Sequence, residues 1–516
     1  MIERLMKHLK TAGEGLSGFF NRNSHRRNVL LLSSVYCVSR LLMLHVVDKG
    51  GDSIWKWRIL RLWYETGIYP AFPPDHHQGR WMVMLPARML MALFGSDPWV
   101  YYIYPVVMGL IGGLAVYFIA SRLRNRAAGA AAFALTIFAP KMVDETMQLC
   151  PLAPAAAFTM FALLAMLQYF DTRKAVWTLV AGVLLALGYG SKVTMAYWYV
   201  PFALGLWLYR PEAERRTIPW RQLILLALGG AVVAAVEFLA FRATFGVRWG
   251  RISMITAGHL GHLPDPQYMN LGRYLLSFLR PLSLEGKFVY TFPAFLLTLL
   301  GAASALLWLF RRDVAQEKRF AAFCFVWVYL LHCYVVYKVF PFLHPERNHA
   351  RYLLAMFALG NVLSVCSQTE WQELLRKLPR RNASWMIPVA VWSLTVVFLV
   401  ISVINPLRNG EHLGRVISQR QLLIRDGRPA VLRLRPEDGV LEEGEEKYAR
   451  MYVTMFAPAK DLRRLDEPMP WYEDDRGRSY MLLWGEVPEG KSCPVRVCDK
   501  IFCEPDQLVL KRVKNR

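Results

Sequence analysis

The feature that most constrains this chain is a series of apolar stretches, most of them close to the length of a membrane span. A transmembrane helix needs roughly 20 mostly apolar residues to cross about 30 Å of hydrocarbon. We find eleven such stretches, and together they predict an all-α polytopic membrane protein. Their approximate ranges are 29–47, 99–121, 127–140, 152–170, 175–191, 194–209, 221–241, 288–310, 320–341, 352–368 and 385–404.

Charge gives these spans an orientation. The chain has 516 residues, of which 55% are hydrophobic, and a net charge of +23. Because the apolar residues fall in long blocks, the basic excess does not describe a soluble nucleic-acid binder, and no nucleic-acid partner is expected. Lys and Arg favour cytoplasmic loops. They cluster in alternate loops, as in Arg122–Arg126, whereas the short loops on the other side hold only Lys141, Lys192, Arg347 and Arg351. This asymmetry predicts a cytoplasmic N-terminus.

The orientation divides the chain into three regions. A cytoplasmic leader covers residues 1–28, and a membrane module covers 29–404 with outer loops at about 48–98 and 242–287. Residues 405–516 are predicted to form a small extracytoplasmic α+β domain. Its predicted strands are 430–434, 451–456, 480–484 and 507–510. Cys493, Cys498 and Cys503 in this region allow one disulfide, with a zinc site as the alternative.

The first outer loop contains two predicted helices and an acidic residue. Apolar residues at helical spacing follow Ser53, with Lys56, Arg58 and Arg61 between them, which is typical of an amphipathic helix in the membrane interface. A second helical segment covers roughly 80–94. Asp52 lies just past the first span, where a partly shielded carboxylate can accept a proton. The alternative is that Asp52 caps the helix starting at Ser53.

A second acidic pair lies in the predicted outer loop 140–151. Asp144 and Glu145 are adjacent there, close to Lys141. Two carboxylates beside one lysine are more than a tight turn requires. We therefore consider them candidate site residues, with a solvated turn as the alternative.

A third cluster lies in the outer loop 342–352, which leads into the tenth predicted span. Its ionisable and aromatic residues are His344, Glu346, Arg347, His349, Arg351 and Tyr352. Guanidinium groups at a helix start form a ready anion site. The alternative is anchoring at the interface by snorkelling side chains. In the second long loop, His259 and His262 lack a spacing diagnostic of a metal site, so no metal ligand is assigned there.

These features together resemble the GT-C superfamily of polytopic membrane glycosyltransferases. His344-Pro345-Glu346-Arg347 with Arg351-Tyr352 resembles a stretched His-x-Glu-x-Arg-Phe/Tyr signature of lipid-linked-sugar mannosyltransferases. The layout also resembles protein O-mannosyltransferases and the aminoarabinose transferases of lipid A. The former have an adjacent Asp-Glu pair in the first loop, whereas here Asp52 is followed by Ser53.

The resemblance implies a polyprenyl-phosphate-linked sugar donor, a glycan or lipid acceptor, and usually inversion at the anomeric carbon. Asp52 is then the candidate base, and Asp144 and Glu145 position sugar hydroxyls. The candidate phosphate ligands are Arg347, Arg351, Lys192 and Arg80. The candidate substrate contacts are His344, Glu346, His349, Tyr352, His76, His77 and His259. No cofactor is assigned, and a divalent metal stays an alternative. We expect a bacterial inner-membrane enzyme that faces the periplasm.

Two other functions remain open at this stage. A lipid or glycan flippase predicts internal repeats and ionisable residues at mid-membrane. We see no repeat, and Arg40, Glu237 and Lys338 lie toward the outer ends of their spans. An oligosaccharyltransferase acting on protein predicts a Trp-Trp-Asp-type signature, of which Pro470–Asp475 is only an echo.

Overall fold

The computed structural model describes most of the membrane module and a few strands outside it. The described residues are 14–43 except 16, 52–67, 78–209, 218–254 except 247, 249 and 253, 288–334, 336–338, 344–345, 354–376, 400, 430–433, 471–473, 479–484 and 510–512.

Helices account for most of these residues. In chain order they are α1 His25–Leu42, α2 Asp52–Thr66, α3 Trp81–Phe94, α4 Val100–Leu123, α5 Arg126–Ile137, α6 Pro140–Thr146, α7 Leu152–Thr172, α8 Val176–Ser191, a 3-10 segment Val193–Trp198, α9 Tyr199–Leu208, α10 Trp220–Phe245, α11 Phe288–Phe310, α12 Gln316–Tyr334, α13 Leu354–Cys366 and α14 Gln368–Arg376.

Helices overlap ten of the eleven predicted spans; apart from Val400, the range 385–404 lies outside the described residues. Within the described residues, α4, α7 and α10 are long and apolar enough to cross a membrane, and the bent pair α5–α6 adds a fourth candidate. Several further helices are apolar but shorter. The protein is thus an integral membrane protein of mostly helical structure, while the number of eleven spans stays a prediction.

Two predicted boundaries are wrong. The range 140–151 was expected to be a loop, but 140–146 forms α6. Pro140 occupies the first turn, where its missing N–H costs nothing, and Lys141 pairs with Glu145 at 3.1 Å across one helical turn. The span predicted to end at 341 stops at Tyr334, and Val336–Lys338 is a strand. Val335, Val336 and Tyr337 are β-branched or aromatic and favour a strand.

The helix α2 differs from a simple amphipathic surface helix. Both helices predicted in the first outer loop are present, as α2 and α3. However, Lys56 is completely buried, and Arg58 and Arg61 are 4% and 5% exposed. The Arg61 guanidinium lies 3.1 Å from Glu65, and that of Arg58 lies 5.2 Å from the Trp55 ring centre. Burial of the two arginines is compatible with the fold because an acidic and an aromatic group lie against them.

A buried arginine joins α1 to the bent pair α5–α6. The angle between α5 and α6 is 69°. Arg40 of α1 is 1% exposed and donates hydrogen bonds to the Ile137 carbonyl, at the end of α5, and to Thr146 Oγ1, in α6, at 3.1 Å. Its guanidinium also lies 4.5 Å from the Tyr36 ring centre. Because one cation satisfies groups on both sides of the bend, it holds α6 in place relative to α1.

Close backbone contact brings α8 and α10 together. A Cβ at Gly182 would lie 2.1 Å from the Leu226 carbonyl oxygen, and one at Gly229 would lie 2.4 Å from the Leu179 carbonyl oxygen. The Tyr199 hydroxyl donates to the Gly182 carbonyl at 2.6 Å. Small residues at helix crossings allow this approach in membranes, where van der Waals packing replaces hydrophobic association.

Short strands form two antiparallel sheets. Val336–Lys338 (β1) pairs with His344–Pro345 (β2). The second sheet has the order β4-β5-β3-β6, built from Ala430–Arg433 (β3), Trp471–Glu473 (β4), Ser479–Trp484 (β5) and Leu510–Arg512 (β6). The strands β3 and β5 lie where the sequence predicts strands, β6 overlaps the prediction only at Leu510, and 451–456 is outside the described residues. The α+β domain as a whole stays a prediction.

The crossing of α8 and α10 predicts an unequal response to two glycine substitutions in one helix. Gly182→Ala places a methyl group against the α10 backbone, so we expect it to destabilise the fold by about 1–3 kcal/mol, the usual cost of overpacking. Gly188→Ala is the control, because a Cβ there would meet its nearest neighbour at 3.5 Å. Thermal unfolding in detergent measures both. Equal melting temperatures for the two variants would contradict the close contact.

Candidate functional site

One end of the bundle, predicted to face outward, carries an acidic short helix. The Asp144 and Glu145 side chains project from α6. Glu145 is only 4% exposed. The Lys141 ammonium lies 3.1 Å from Glu145 Oε1 and 3.9 Å from Asp144 Oδ2. The structure therefore brings the predicted acidic pair and its lysine into one charged group at the end of the bent span.

The charges that act on the Cys150 thiol show which basic residues lie near this group. Burial and the Glu145 carboxylate raise the pKa of the Cys150 thiol to about 12, while the positive charges of Lys56 and Arg80 oppose that shift. Glu145, Lys56 and Arg80 are therefore all close enough to Cys150 for their charges to act on it. We call Lys56, Arg80, Lys141, Asp144, Glu145 and Cys150 the outer acid–base cluster.

The loop after α6 is tied to two other helices. Ser53 in the first turn of α2 donates a hydrogen bond to Gln148 Oε1 at 3.5 Å. The Leu149 N–H donates to the Tyr101 hydroxyl of α4 at 2.9 Å, and the Tyr101 ring packs edge-on against Trp57 of α2. The start of α2 is thereby held beside the acidic helix. Asp52 is the first residue of α2, and its side chain is outside the description.

Lys192 lies at the end of α8, where the chain changes to the 3-10 segment. Its charge acts on the buried His332 near the end of α12, and the His332 ring packs edge-on against Tyr197 at 5.2 Å. The position of Gly190 sets α8 close to α3, because a Cβ there would lie 2.8 Å from the Trp81 ring. Lys192 and Arg80 are therefore at the same edge of the bundle.

A buried ion pair completes this edge. Arg251 Nη1 lies 3.0 Å from Glu237 Oε2 of α10, and both residues are at least nine-tenths buried. Trp81 Nε1 donates to the same carboxylate, and Arg251 Nη2 donates to the Tyr189 carbonyl at 2.6 Å. The pair thus joins α10 and the start of the second outer loop to the first residue of α3, directly after Arg80.

The structure therefore brings together four predicted site residues, Arg80, Asp144, Glu145 and Lys192, at one edge. Of the others, Asp52 and His344 are placed only as helix and strand residues. The remaining predicted residues, His76, His77, His259, Glu346, Arg347, His349, Arg351 and Tyr352, lie outside the described residues.

Sequence reasoning did not assign Lys56, Glu237, Arg251 or His332 to the site. The sequence does contain a signal for Glu237, because a carboxylate within an apolar span requires a partner. Lys56 gave none, since its spacing in α2 fits a solvated face. Among the residues that the structure describes, no group of three or more His, Cys, Asp or Glu side chains is arranged to hold a metal ion.

Comparisons with known proteins agree on one type of fold. Residues 80–240 match the model of the dolichyl-phosphate-mannose-protein mannosyltransferase family. No curated protein sequence matches the chain. The crystal structure of ArnT from Cupriavidus metallidurans in the apo state superposes with a TM-score of 0.51 at 13% identity, covering 89% of this chain and 99% of ArnT.

The same ArnT bound to undecaprenyl phosphate gives a TM-score of 0.51 at 13% identity, covering 90% of this chain and all of ArnT. Arabinosyltransferase EmbB from Mycobacterium smegmatis gives 0.48 at 12% identity, covering 84% and 47% of the two chains. Identities this low compare folds rather than activities. The chain has the fold of the GT-C membrane glycosyltransferases, and the resemblance to that superfamily seen in its sequence is confirmed.

Proposed function

We propose that this protein is a membrane glycosyltransferase that takes a sugar from a polyprenyl-phosphate donor on the outer face of the membrane. The acceptor is a lipid-linked glycan or another cell-envelope molecule. The observation that carries the proposal is the outer acid–base cluster, in which the charges of Lys56, Arg80 and Glu145 all act on Cys150 at the end of an apolar bundle. The GT-C fold and the mannosyltransferase family match over residues 80–240 support the same reaction class.

The position of the cluster suits a substrate with a lipid tail. Its residues lie in α2, just before α3, in the short helix α6 and in the loop after α6, next to the apolar helices α5 and α7. A polyprenyl chain remains in the bilayer while its phosphate reaches the membrane surface. Ammonium and guanidinium groups bind phosphate oxygens through charge-assisted hydrogen bonds, which are stronger than neutral ones. ArnT, which shares the fold, has been crystallised with undecaprenyl phosphate.

The proposed reaction is a displacement at the anomeric carbon. Asp52 accepts the proton of the acceptor hydroxyl as the new C–O bond forms. The bond from the anomeric carbon to the donor phosphate breaks, and polyprenyl phosphate leaves with the electron pair. Arg80, Lys56 and Lys192 stabilise the negative charge that develops on the phosphate. Attack opposite the leaving group inverts the anomeric configuration.

The other predicted residues have supporting roles in this proposal. Asp144 and Glu145 orient sugar hydroxyls. Arg347 and Arg351 add phosphate contacts from the loop before α13. The proposed substrate contacts are His76, His77, His259, His344, Glu346, His349 and Tyr352.

The proposed topology places this site on the periplasmic side of a bacterial inner membrane. It has a cytoplasmic N-terminus, eleven spans in residues 29–404, and an extracytoplasmic domain at 405–516. The charge asymmetry of the loops supports this orientation.

Asp52→Asn tests the proposed base. Purified protein is incubated with radiolabelled polyprenyl-phosphate sugars and a membrane lipid extract. We expect transfer to fall at least about 100-fold, the usual lower bound for loss of general base catalysis. Asp313→Asn is the control, since Asp313 is an exposed residue at the opposite end of the bundle and pairs with Arg311. Unchanged transfer in Asp52→Asn overturns the assignment. Lipid translocation without transfer from any donor favours a flippase.

Lys56→Met tests phosphate binding by a residue that the sequence did not indicate. Loss of one charge-assisted contact is expected to weaken donor binding about 10- to 100-fold. The donor KM and inhibition by free polyprenyl phosphate measure this effect. Lys56→Arg retains the charge and is expected to retain part of the affinity. Lys174→Met, at an exposed inner-loop lysine, is the control. A folded Lys56→Met protein with unchanged donor KM and inhibition would contradict the role of Lys56.

A further inference from the structure

We propose that the inner end of the bundle contains a binding site for a membrane phospholipid, separate from the glycosyltransferase site. A cavity of about 600 Å³ lies between α4, α7 and α8, beside the start of α1. Its walls are Phe118, Ser121, Arg122, Phe161, Leu164, Ala165, Gln168, Trp177, Val180, Leu184 and His25. This volume lies within the roughly 300–1,000 Å³ typical of small-molecule sites.

The cavity is polar at one end and apolar at the other. Arg122, Gln168 and His25 lie at the ends of α4 and α7 and the start of α1, on the side of the basic loops. Phe161 is seven residues deeper along α7 than Gln168, and Leu184 is seven residues deeper along α8 than Trp177. At 1.5 Å per helical residue, the apolar part extends about 10 Å into the membrane. This shape suits an acyl chain attached to a headgroup at the membrane surface.

Arg122 supplies the contact for the lipid phosphate. Its Nη1 donates to Gln168 Oε1 at 2.6 Å, and its guanidinium forms an ion pair with Asp171. Arg122 Nε is buried and has no acceptor among the described residues. A guanidinium with a remaining donor beside an apolar cleft is a suitable partner for a phosphate oxygen.

Asp171 indicates the type of headgroup. Its side chain is 50% exposed next to Arg122, and Glu317 also acts electrostatically on Arg122. A purely anionic lipid would meet these two carboxylates. A headgroup with a phosphate and an ammonium complements the pair, because the phosphate faces Arg122 and the ammonium faces Asp171. The chemistry therefore favours a zwitterionic aminophospholipid such as phosphatidylethanolamine.

Photocrosslinking in nanodiscs tests this site without any enzyme assay. The probe is phosphatidylethanolamine with a diazirine at the end of one acyl chain, present as a minor component in phosphatidylcholine. We expect labelling of the α7 and α8 segments that contain Phe161 and Leu184. Leu164→Trp fills the cavity and is expected to abolish this labelling; Val180→Trp, on another wall, is the second variant if the first fails to fold. Leu228→Trp, on the 47% exposed Leu228 of α10, is the matched control.

Headgroup recognition is measured with the same diazirine chain on other lipids. Arg122→Gln is expected to lower labelling at least about tenfold, the size of a charge-assisted contact. Diacylglycerol and phosphatidylglycerol probes are expected to label less than phosphatidylethanolamine, and Asp171→Asn should remove the difference between the two phospholipids.

Equal labelling by diacylglycerol, or labelling unaffected by Leu164→Trp and Val180→Trp, overturns the site and indicates bulk lipid contact. Stronger labelling by phosphatidylglycerol overturns the headgroup assignment. The labelling results do not depend on whether the protein transfers sugar, so a failure of the proposed glycosyltransferase function would leave them unchanged.

Discussion

The burial of the Arg40 guanidinium is the interaction on which the geometry of the site depends. An uncompensated cation inside a membrane bundle is costly, and it persists only when hydrogen-bond acceptors surround it. The carbonyl of Ile137 and the hydroxyl of Thr146 supply those acceptors from the two sides of the α5–α6 bend. A carbonyl at a helix C-terminus also carries the negative end of the helix dipole, which favours a nearby cation. The bend and the cation are therefore mutually required. Together they place Glu145 at the end of the bundle.

A second set of contacts places the basic residues against α6. Backbone contact at Gly182 and Gly229 fixes α8 on α10, and the buried pair of Glu237 and Arg251 then binds Trp81 at the start of α3. Arg80 precedes Trp81, so its position follows from the geometry of α10 rather than from its own loop. This arrangement explains how side chains distant in sequence reach one edge. Packing of helices within the membrane therefore holds the charged groups of the site in place. A loop alone would leave these groups free to move in solvent.

Sequence patterns predicted the helices well and the environments of charged side chains poorly. Helix positions could be read from hydropathy, since the bilayer imposes one length on every crossing element. The adjacent acids at 144 and 145 were recognised because two carboxylates beside Lys141 are unusual. The helix they form was missed, because Pro140 in a polar segment predicts a turn as readily as a first helical turn. Lys56 was missed for another reason: the spacing of α2 shows which side chains share a face, but not which faces other elements cover. The burial of Lys56 on all sides depends on α4 and on the loop after α6. No local sequence pattern shows that these elements pack against α2.

The two ends of the bundle show why the net charge of +23 does not locate the site. At the end predicted to face the cytoplasm, basic residues pair with acids of neighbouring elements, as in Arg311 with Glu373 at 3.0 Å and Lys318 with Glu370 at 2.7 Å. Such pairs join helix ends and agree with the preference of cations for the cytoplasmic side. At the end predicted to face outward, positive charge opposes that preference, so each cation there requires a specific reason to be present. Lys141 pairs with the buried carboxylate of Glu145, and the charges of Lys56 and Arg80 act on Cys150 in the same cluster. A phosphate carried by a lipid tail, as the proposed function requires, supplies such a reason, because ammonium and guanidinium groups bind phosphate oxygens through charge-assisted hydrogen bonds.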